Sequence, residues 1–360
     1  MSYERDIIHD MQGYTWGEQP RDGDAIKLNT NENPYPPGPA VAAALASFDV
    51  ATLNLYPQPT ADQFRALAAE RHGVDMENLL VTNGGDEALR LAFTTFLDPG
   101  STFATTDPSY SLYEVLAAIQ GCSVLAVPLL EDWTVPRNFA QALNDAGARL
   151  ACIVNPHTPT GVLASVDTLS RVANEFSGVL LIDEAYVDFV DAAQRYDTMN
   201  MMRAFDNVLI LRTLSKGYSM AGLRFGYLIG SAELIEPMLT KTRDSYNVNT
   251  IAQRLGCAAF EDLEYAEQTW RRVRSERREL RDSLLKRGFA MPHSQANFLL
   301  ATMPDDSSTS ASGTAAELRS RGILVRHFET PRLDDKLRIS IGTPEQNARL
   351  LVALDEILAQ

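Results

Sequence analysis

The sequence predicts an α/β fold, with a mostly parallel seven-stranded sheet flanked by helices in one lobe and a smaller α+β lobe beside it. Seven strand-like runs, amphipathic helical patterns between several of them, and a change of pattern after Asn249 carry that prediction. The runs are Leu79–Thr82, Thr102–Thr105, Ser123–Val127, Leu150–Val154, Val179–Asp183, Val208–Leu211 and Phe225–Ile229. Those such as Val179–Asp183 are apolar at successive positions, as in strands covered on both faces. Gly85–Phe96, Ser111–Gln120 and Ser165–Phe176 repeat their apolar residues at the spacing of helices packed on a sheet. After Asn249 a highly charged helix from about Glu264 to Arg287 is expected, its Arg and Glu residues forming a solvated face, then short strands near Asn297–Ala301, Ile323–Arg326 and Leu337–Ile341. Asn29–Pro39, rich in Pro and Asn, is incompatible with a regular helix or central strand and is expected as an extended arm or loop. The expected division is 1–45 as an N-terminal arm and start of the small domain, 46–245 as the large domain, and 246–360 as the small C-terminal domain.

Composition narrows the function. Lys and Arg total 32 against 47 acids, a formal net charge of −15, which disfavours nucleic acid and anionic lipid as partners. An anionic substrate must therefore meet a local cluster of arginines. No apolar run approaches the roughly 20 residues that span a bilayer, and the start shows no basic segment followed by an apolar one, so a soluble cytoplasmic protein is expected. Cys122, Cys152 and Cys257 are far apart in apolar contexts, and His157 has no second ligand at metal-binding spacing, so neither a disulfide framework nor a metal site is expected.

The chemistry is concentrated where strands end. Thr213-Leu-Ser-Lys216-Gly-Tyr218 follows the run Val208–Leu211 and closes in Gly222-Leu-Arg224, so Lys216 stands where a parallel sheet delivers its reactive groups. An amine among hydroxyls, with an arginine nearby, can form a Schiff base with pyridoxal phosphate while its neighbours hold the phosphate. Thr82-Asn-Gly-Gly-Asp-Glu87 joins a strand to a helix, putting Gly84, Gly85 and Asp86 at a helix N-terminus whose free N–H groups suit the same anion. Asp183 ends the apolar run Val179–Ile182 and can pair with a protonated pyridine nitrogen, keeping the ring electron-withdrawing. Asn155, in Asn155-Pro-His-Thr-Pro-Thr-Gly161, and Tyr186, in Asp183-Glu-Ala-Tyr186, can each donate to the phenolate oxygen, and Tyr110 can stack on the ring.

The order of these motifs along the chain resembles that of fold-type I pyridoxal-phosphate aminotransferases of the class I/II group, over nearly the whole length. The resemblance implies Lys216 as Schiff-base lysine and proton shuttle, Asp183 as partner of the pyridine nitrogen, and Asn155 and Tyr186 as phenolate donors. It puts Gly84, Gly85, Asp86, Thr213, Ser215 and Arg224 around the phosphate and Tyr110 over the ring. It also implies a homodimer in which Tyr56, in Leu53-Asn-Leu-Tyr-Pro57, reaches the partner's site.

Gly13-Tyr14-Thr-Trp-Gly-Glu-Gln-Pro20, Leu28-Asn-Thr-Asn-Glu-Asn-Pro-Tyr35 and Gly322-Ile-Leu-Val-Arg326 resemble the histidinol-phosphate branch of that group. On that resemblance Arg326 and Arg338, with Tyr14, bind the anionic end of an amino donor whose amino group passes to 2-oxoglutarate in histidine biosynthesis. Two arginines and a phenol suit a phosphate, but the same pair can hold a carboxylate, so an aromatic or broad-range amino-acid aminotransferase remains open, as does, more remotely, a non-catalytic binding protein on the same fold. One departure stands out: His157 and Thr158 occupy positions where the group commonly has two asparagines.

Overall fold

The computed structural model describes residues 3–20 and 24–359. Its strands are β1 (Ile26–Lys27), β2 (Leu79–Thr82), β3 (Thr102–Asp107), β4 (Ser123–Pro128), β5 (Ala148–Val154), β6 (Val179–Asp183), β7 (Val208–Thr213), β8 (Gly226–Gly230), β9 (Phe298–Thr302), β10 (Ile323–Leu324), β11 (Arg326–His327) and β12 (Lys336–Ser340). The seven strand-like runs form one seven-stranded sheet in the order β2-β8-β7-β6-β5-β3-β4. All neighbours are parallel except those of β8, which runs against both β2 and β7. Successive side chains go to opposite faces: Leu180, Ile182, Val208 and Ile210 enter one core, and Leu181, Leu209 and Leu211 the other. Each such fully buried Leu or Ile contributes about 1.5–3 kcal/mol, which is why these central strands tolerate almost no polar residue before their carboxyl ends.

In the second lobe β11, β12 and β9 form an antiparallel sheet, and β1 pairs parallel with β10. The extended segment after β1 therefore joins the small lobe and then crosses toward the large sheet. The helix Pro39–Ala46 begins where the expected arm ends. Two features depart from the pattern reading. The helix Thr250–Glu261 buries Ala252, Leu255, Cys257, Ala259 and Phe260 in the large-sheet core, where Phe260 meets Phe64 with ring centroids 4.9 Å apart. We therefore propose that the lobes divide near Asp262 rather than at 246. The charged helix Leu263–Leu285 is solvated along much of its length, but Arg277 is buried, donating to the carbonyls of Phe189 and Ala296 at 2.9 Å each and pairing with Asp191 at 2.9 Å. That arginine ties the helix to the loop after β6. Among the described residues no helix is long and apolar enough to cross a membrane, and no cluster of His, Cys, Asp or Glu could hold a metal ion.

Candidate active site

A cleft of about 1290 Å³ opens at the carboxyl ends of the parallel strands, between the sheet, the small lobe and residues 11–17 of the arm. It is larger than a drug-sized pocket of roughly 300–1,000 Å³, and so has room for a cofactor together with a substrate. Lys216, three residues beyond β7, points its amine into this cleft and donates to the carbonyl of Thr30 at 2.9 Å. Burial pushes the amine down to about 8, with Arg338 and Arg224 acting in the same direction and Glu32 and Asp86 opposing. At pH 7 roughly a tenth of the amine is thus uncharged, the form that attacks a carbonyl, against well under a thousandth for an ordinary lysine at 10.5.

Asp183 ends β6 at the cleft floor, 5% exposed. One oxygen accepts from the Tyr113 hydroxyl at 2.9 Å and the other from the Ala185 N–H at 3.1 Å. Burial nevertheless raises its carboxyl to about 6, since these two hydrogen bonds only partly offset the loss of water and Asp86 and Glu184 add repulsion. A cation facing this carboxylate would therefore be strongly favoured. Tyr113 was not singled out from the sequence, where it reads as an apolar position of the helix Leu112–Gln120. Only the fold shows that its hydroxyl reaches β6.

The anion cradle lies at the start of the helix Gly85–Phe96. Gly84 has φ +82°, and a Cβ there would lie 2.8 Å from Arg224 Nη2, so the turn requires glycine both for its backbone and for the approach of the guanidinium. Arg224 donates to Ser215 Oγ at 3.5 Å and to Asp86 Oδ2 at 3.1 Å, while Thr213 Oγ1 lies 2.9 Å from Ser215 Oγ. Helix N–H groups, a hydroxyl and a guanidinium thus converge on one spot, a donor set suited to a phosphate monoester.

On the small-lobe side Arg326 and Arg338 are direct cross-strand partners, both lining the cleft. Like charges so placed destabilise a strand pair unless an anion sits between them. Arg338 donates to Asn29 O at 3.0 Å and Thr158 Oγ1 at 3.3 Å, yet its buried Nε has no partner. Tyr14 packs edge-on against Tyr110 at 5.8 Å, and both line the same cleft. Tyr186 lies there too, its ring edge-on to Phe298 at 5.1 Å.

One residue expected at this cleft lies elsewhere. Asn155 is buried at 1% exposure; its amide donates to Ala164 O at 3.1 Å and Tyr196 OH at 2.8 Å, and its oxygen accepts from Ala164 N at 2.8 Å. Both amide protons are committed and Asn155 is absent from the cleft lining, so in place of the expected phenolate donor we propose that it braces the loop. Thr158 from that loop is the residue that lines the cleft. His157 braces it from the other side, with Nδ1 2.8 Å from Thr160 Oγ1 and Nε2 2.9 Å from Pro108 O, tying it to the turn that carries Tyr110. Tyr56, expected at the partner's site and not at this one, is 80% exposed outside the cleft lining and stacks on Tyr246 at 4.4 Å.

A lysine, a buried carboxylate and an anion cradle gathered at the carboxyl edge of a largely parallel sheet define an enzyme that works on amines through a phosphorylated cofactor. The family model for aminotransferase class I and II matches residues 23–354, and the chain belongs to that family. It is 39% identical over 353 residues to a histidinol-phosphate aminotransferase of Rippkaea orientalis and 40% identical over 354 residues to one of Microcystis aeruginosa, covering 98% of each chain in both cases. Its fold matches that of a Sinorhizobium meliloti histidinol-phosphate aminotransferase solved with pyridoxal-5'-phosphate, with TM-score 0.92, 22% identity, and coverage of 100% of this chain and 98% of that one.

Proposed function

We propose that the chain is a pyridoxal-phosphate-dependent aminotransferase that moves an amino group between histidinol phosphate and 2-oxoglutarate. The cross-strand pair Arg326 and Arg338, facing the cleft opposite Lys216, is the observation that carries the substrate assignment, because it calls for an anion at that end. The full-length relatives named for histidinol phosphate support it. The geometry also fits the cofactor: the Gly84 turn, Ser215 and Arg224 suit its phosphate, Asp183 its ring nitrogen and Lys216 its aldehyde.

Bound there, pyridoxal phosphate supplies a cationic ring that delocalises the electron pair left when a substrate Cα loses its proton. Arg224, Ser215 and the N–H groups at Gly85 and Asp86 hold the phosphate and fix the ring's position. Asp183 would keep the ring nitrogen protonated, and Tyr186 would donate to the phenolic oxygen. Lys216 would anchor the cofactor's aldehyde and, once its amine is free, would be the base that carries the proton of the substrate's Cα. Arg326, Arg338 and Tyr14 hold the donor's anionic end, which orients the Cα–H bond toward Lys216.

Only uncharged Lys216 attacks the aldehyde, so cofactor uptake by the cofactor-free protein is expected to rise about tenfold per pH unit at lower pH and to level off above about 8. Stopped-flow absorbance measures it, and a flat profile between pH 6 and 9 contradicts the role. The substrate assignment is tested by mixing the loaded enzyme with histidinol phosphate and no oxo acid. Conversion of the cofactor absorbance should be faster than with phenylalanine at equal concentration. Arg338→Gln should slow the histidinol phosphate reaction roughly 10- to 100-fold in kcat/KM, the equivalent of one lost charge-assisted contact. Conversion by phenylalanine or tyrosine alone would instead make this an aromatic aminotransferase, with Arg338 binding a carboxylate.

The proposed active form is a homodimer in which Tyr56 reaches the partner's phosphate site. Tyr56 belongs to an exposed apolar patch with Val50, Leu53 and Leu55, and such a patch is characteristic of a protein interface.

A further inference from the structure

The segment Asn29–Asn33 passes over Lys216 and is tied to both lobes. Thr30 O accepts from Lys216 and Asn33 Nδ2 donates to Gly217 O at 3.2 Å, while Asn31 O accepts from Asn297 Nδ2 at 2.9 Å. Asn31 is the centre of this strap. It is 2% exposed and left-handed at φ 55°, a conformation that Asn adopts more readily than most residues with a side chain. Its backbone N–H donates to Ser340 Oγ at 2.9 Å, and the Ser340 hydroxyl donates back to Asn31 Oδ1 at 3.1 Å. That reciprocal pair fixes the amide's orientation and leaves Nδ2 to donate to the Tyr186 hydroxyl at 3.1 Å. Turning the amide over would put two N–H donors on Ser340 and strip its proton of the acceptor it has here.

We propose that Asn31 is a positioning residue for the reaction: its amide occupies an acceptor position of the Tyr186 hydroxyl and so turns the Tyr186 proton into the cleft, toward the cofactor's phenolic oxygen. A phenol has one proton to give. When a fixed donor fills one lone pair, the proton is steered to the remaining acceptor, and in this cleft that is the phenolic oxygen. The Ser340–Asn31–Tyr186 chain also begins two residues from Arg338 on β12, so the strand that carries the anion-binding arginine sets the hydrogen-bond direction at the ring. The inference rests on the proposed cofactor and on Tyr186 as its donor.

The test is Asn31→Asp, which keeps the shape and tolerates the left-handed backbone but has only acceptors on its side chain. Tyr186 should then donate to the new carboxylate instead of to the cofactor. The pH midpoint of the loaded enzyme's visible-absorbance change should rise by about one unit, the equivalent of one hydrogen bond lost to the ionised phenolic oxygen. The other charges around these groups, Arg338 and Asp183 near Tyr186 and Glu32, Arg224 and Asp86 near Lys216, are the same in both proteins. A direct effect of the added charge is separated by repeating the substitution in Tyr186→Phe, where the shift should shrink to less than half. Asn31→Gly, which also accepts this φ, should give a smaller rise than Asn31→Asp and guards against a folding defect. Equal shifts with and without the Tyr186 hydroxyl, or no shift in either variant, overturn the proposal. A wild-type protein that takes up no pyridoxal phosphate would instead overturn the cofactor reading beneath it.

Discussion

Lys216→Ala is expected to lower turnover by at least about four orders of magnitude, because one side chain both holds the cofactor covalently and moves the Cα proton, and proton transfer alone is commonly worth 10²–10⁴. The fold should survive. The amine's hydrogen bond is to Thr30 O at 2.9 Å, a carbonyl that water in the open cleft can satisfy once the amine is gone. Because Lys216 is depressed from 10.5 to about 8, the cofactor-free folded chain binds fewer protons than the unfolded chain across that window, and its stability rises with pH there. The alanine variant should lose that slope while keeping a native circular dichroism spectrum. The cradle at Gly84, Ser215 and Arg224 is untouched, so pyridoxal phosphate should still bind, but borohydride should no longer fix it to the protein by mass. Small primary amines added to the solution should restore a fraction of the rate. Turnover within tenfold of wild type, or borohydride labelling undiminished in the variant, would falsify the assignment.

The sheet was legible because its strands are runs of four to seven residues, most of them predominantly apolar, that give way to polar or glycine-rich turns. The same rule exposed Asp183 and Lys216, since a charged residue at the end of such a run has few reasons to be there other than the cleft. Directions of side chains were not legible. Asn155 and Thr158 lie three residues apart in one loop, and which of them faces the cleft is decided by Ala164 and Tyr196, which claim the Asn155 amide. Tyr113 and Asn31 illustrate a related limit: each acts through a partner at least 70 residues away, and neither periodicity nor composition marks it. That the helix Thr250–Glu261, expected with the small lobe, packs on the large-sheet core was not legible for a similar reason. Its apolar face would suit either lobe, and the aromatic cluster of Phe64, Phe225 and Phe260 that claims it comes together only in three dimensions.

Asp183→Asn should move stability and activity in opposite directions. In the cofactor-free protein the carboxyl is raised from 3.8 to about 6, chiefly by burial. A raised carboxyl contributes stability that is fully present below 3.8 and is lost as pH rises through about 6, so the cofactor-free wild type should weaken across that window. A shift of that size corresponds to about 3 kcal/mol at pH 8. The amide keeps the shape, its oxygen can still accept from the Ala185 N–H while its nitrogen donates to the Tyr113 hydroxyl oxygen, and it carries no charge to desolvate. Cofactor-free Asp183→Asn is therefore expected to melt above wild type at pH 8 and to show a flatter stability profile between pH 4 and 6. Loading should reverse the order, because only the carboxylate pairs with a protonated ring nitrogen, and wild type should gain the larger thermal shift from pyridoxal phosphate. Without that pairing the ring withdraws electrons poorly, and kcat should fall by about 10²–10⁴. Melting curves of both proteins, with and without cofactor, from pH 4 to 8 decide the matter together with kcat. A variant that is less stable than wild type when cofactor-free at pH 8, yet turns over normally, would show that Asp183 is a structural carboxylate held by Tyr113 rather than the partner of the ring.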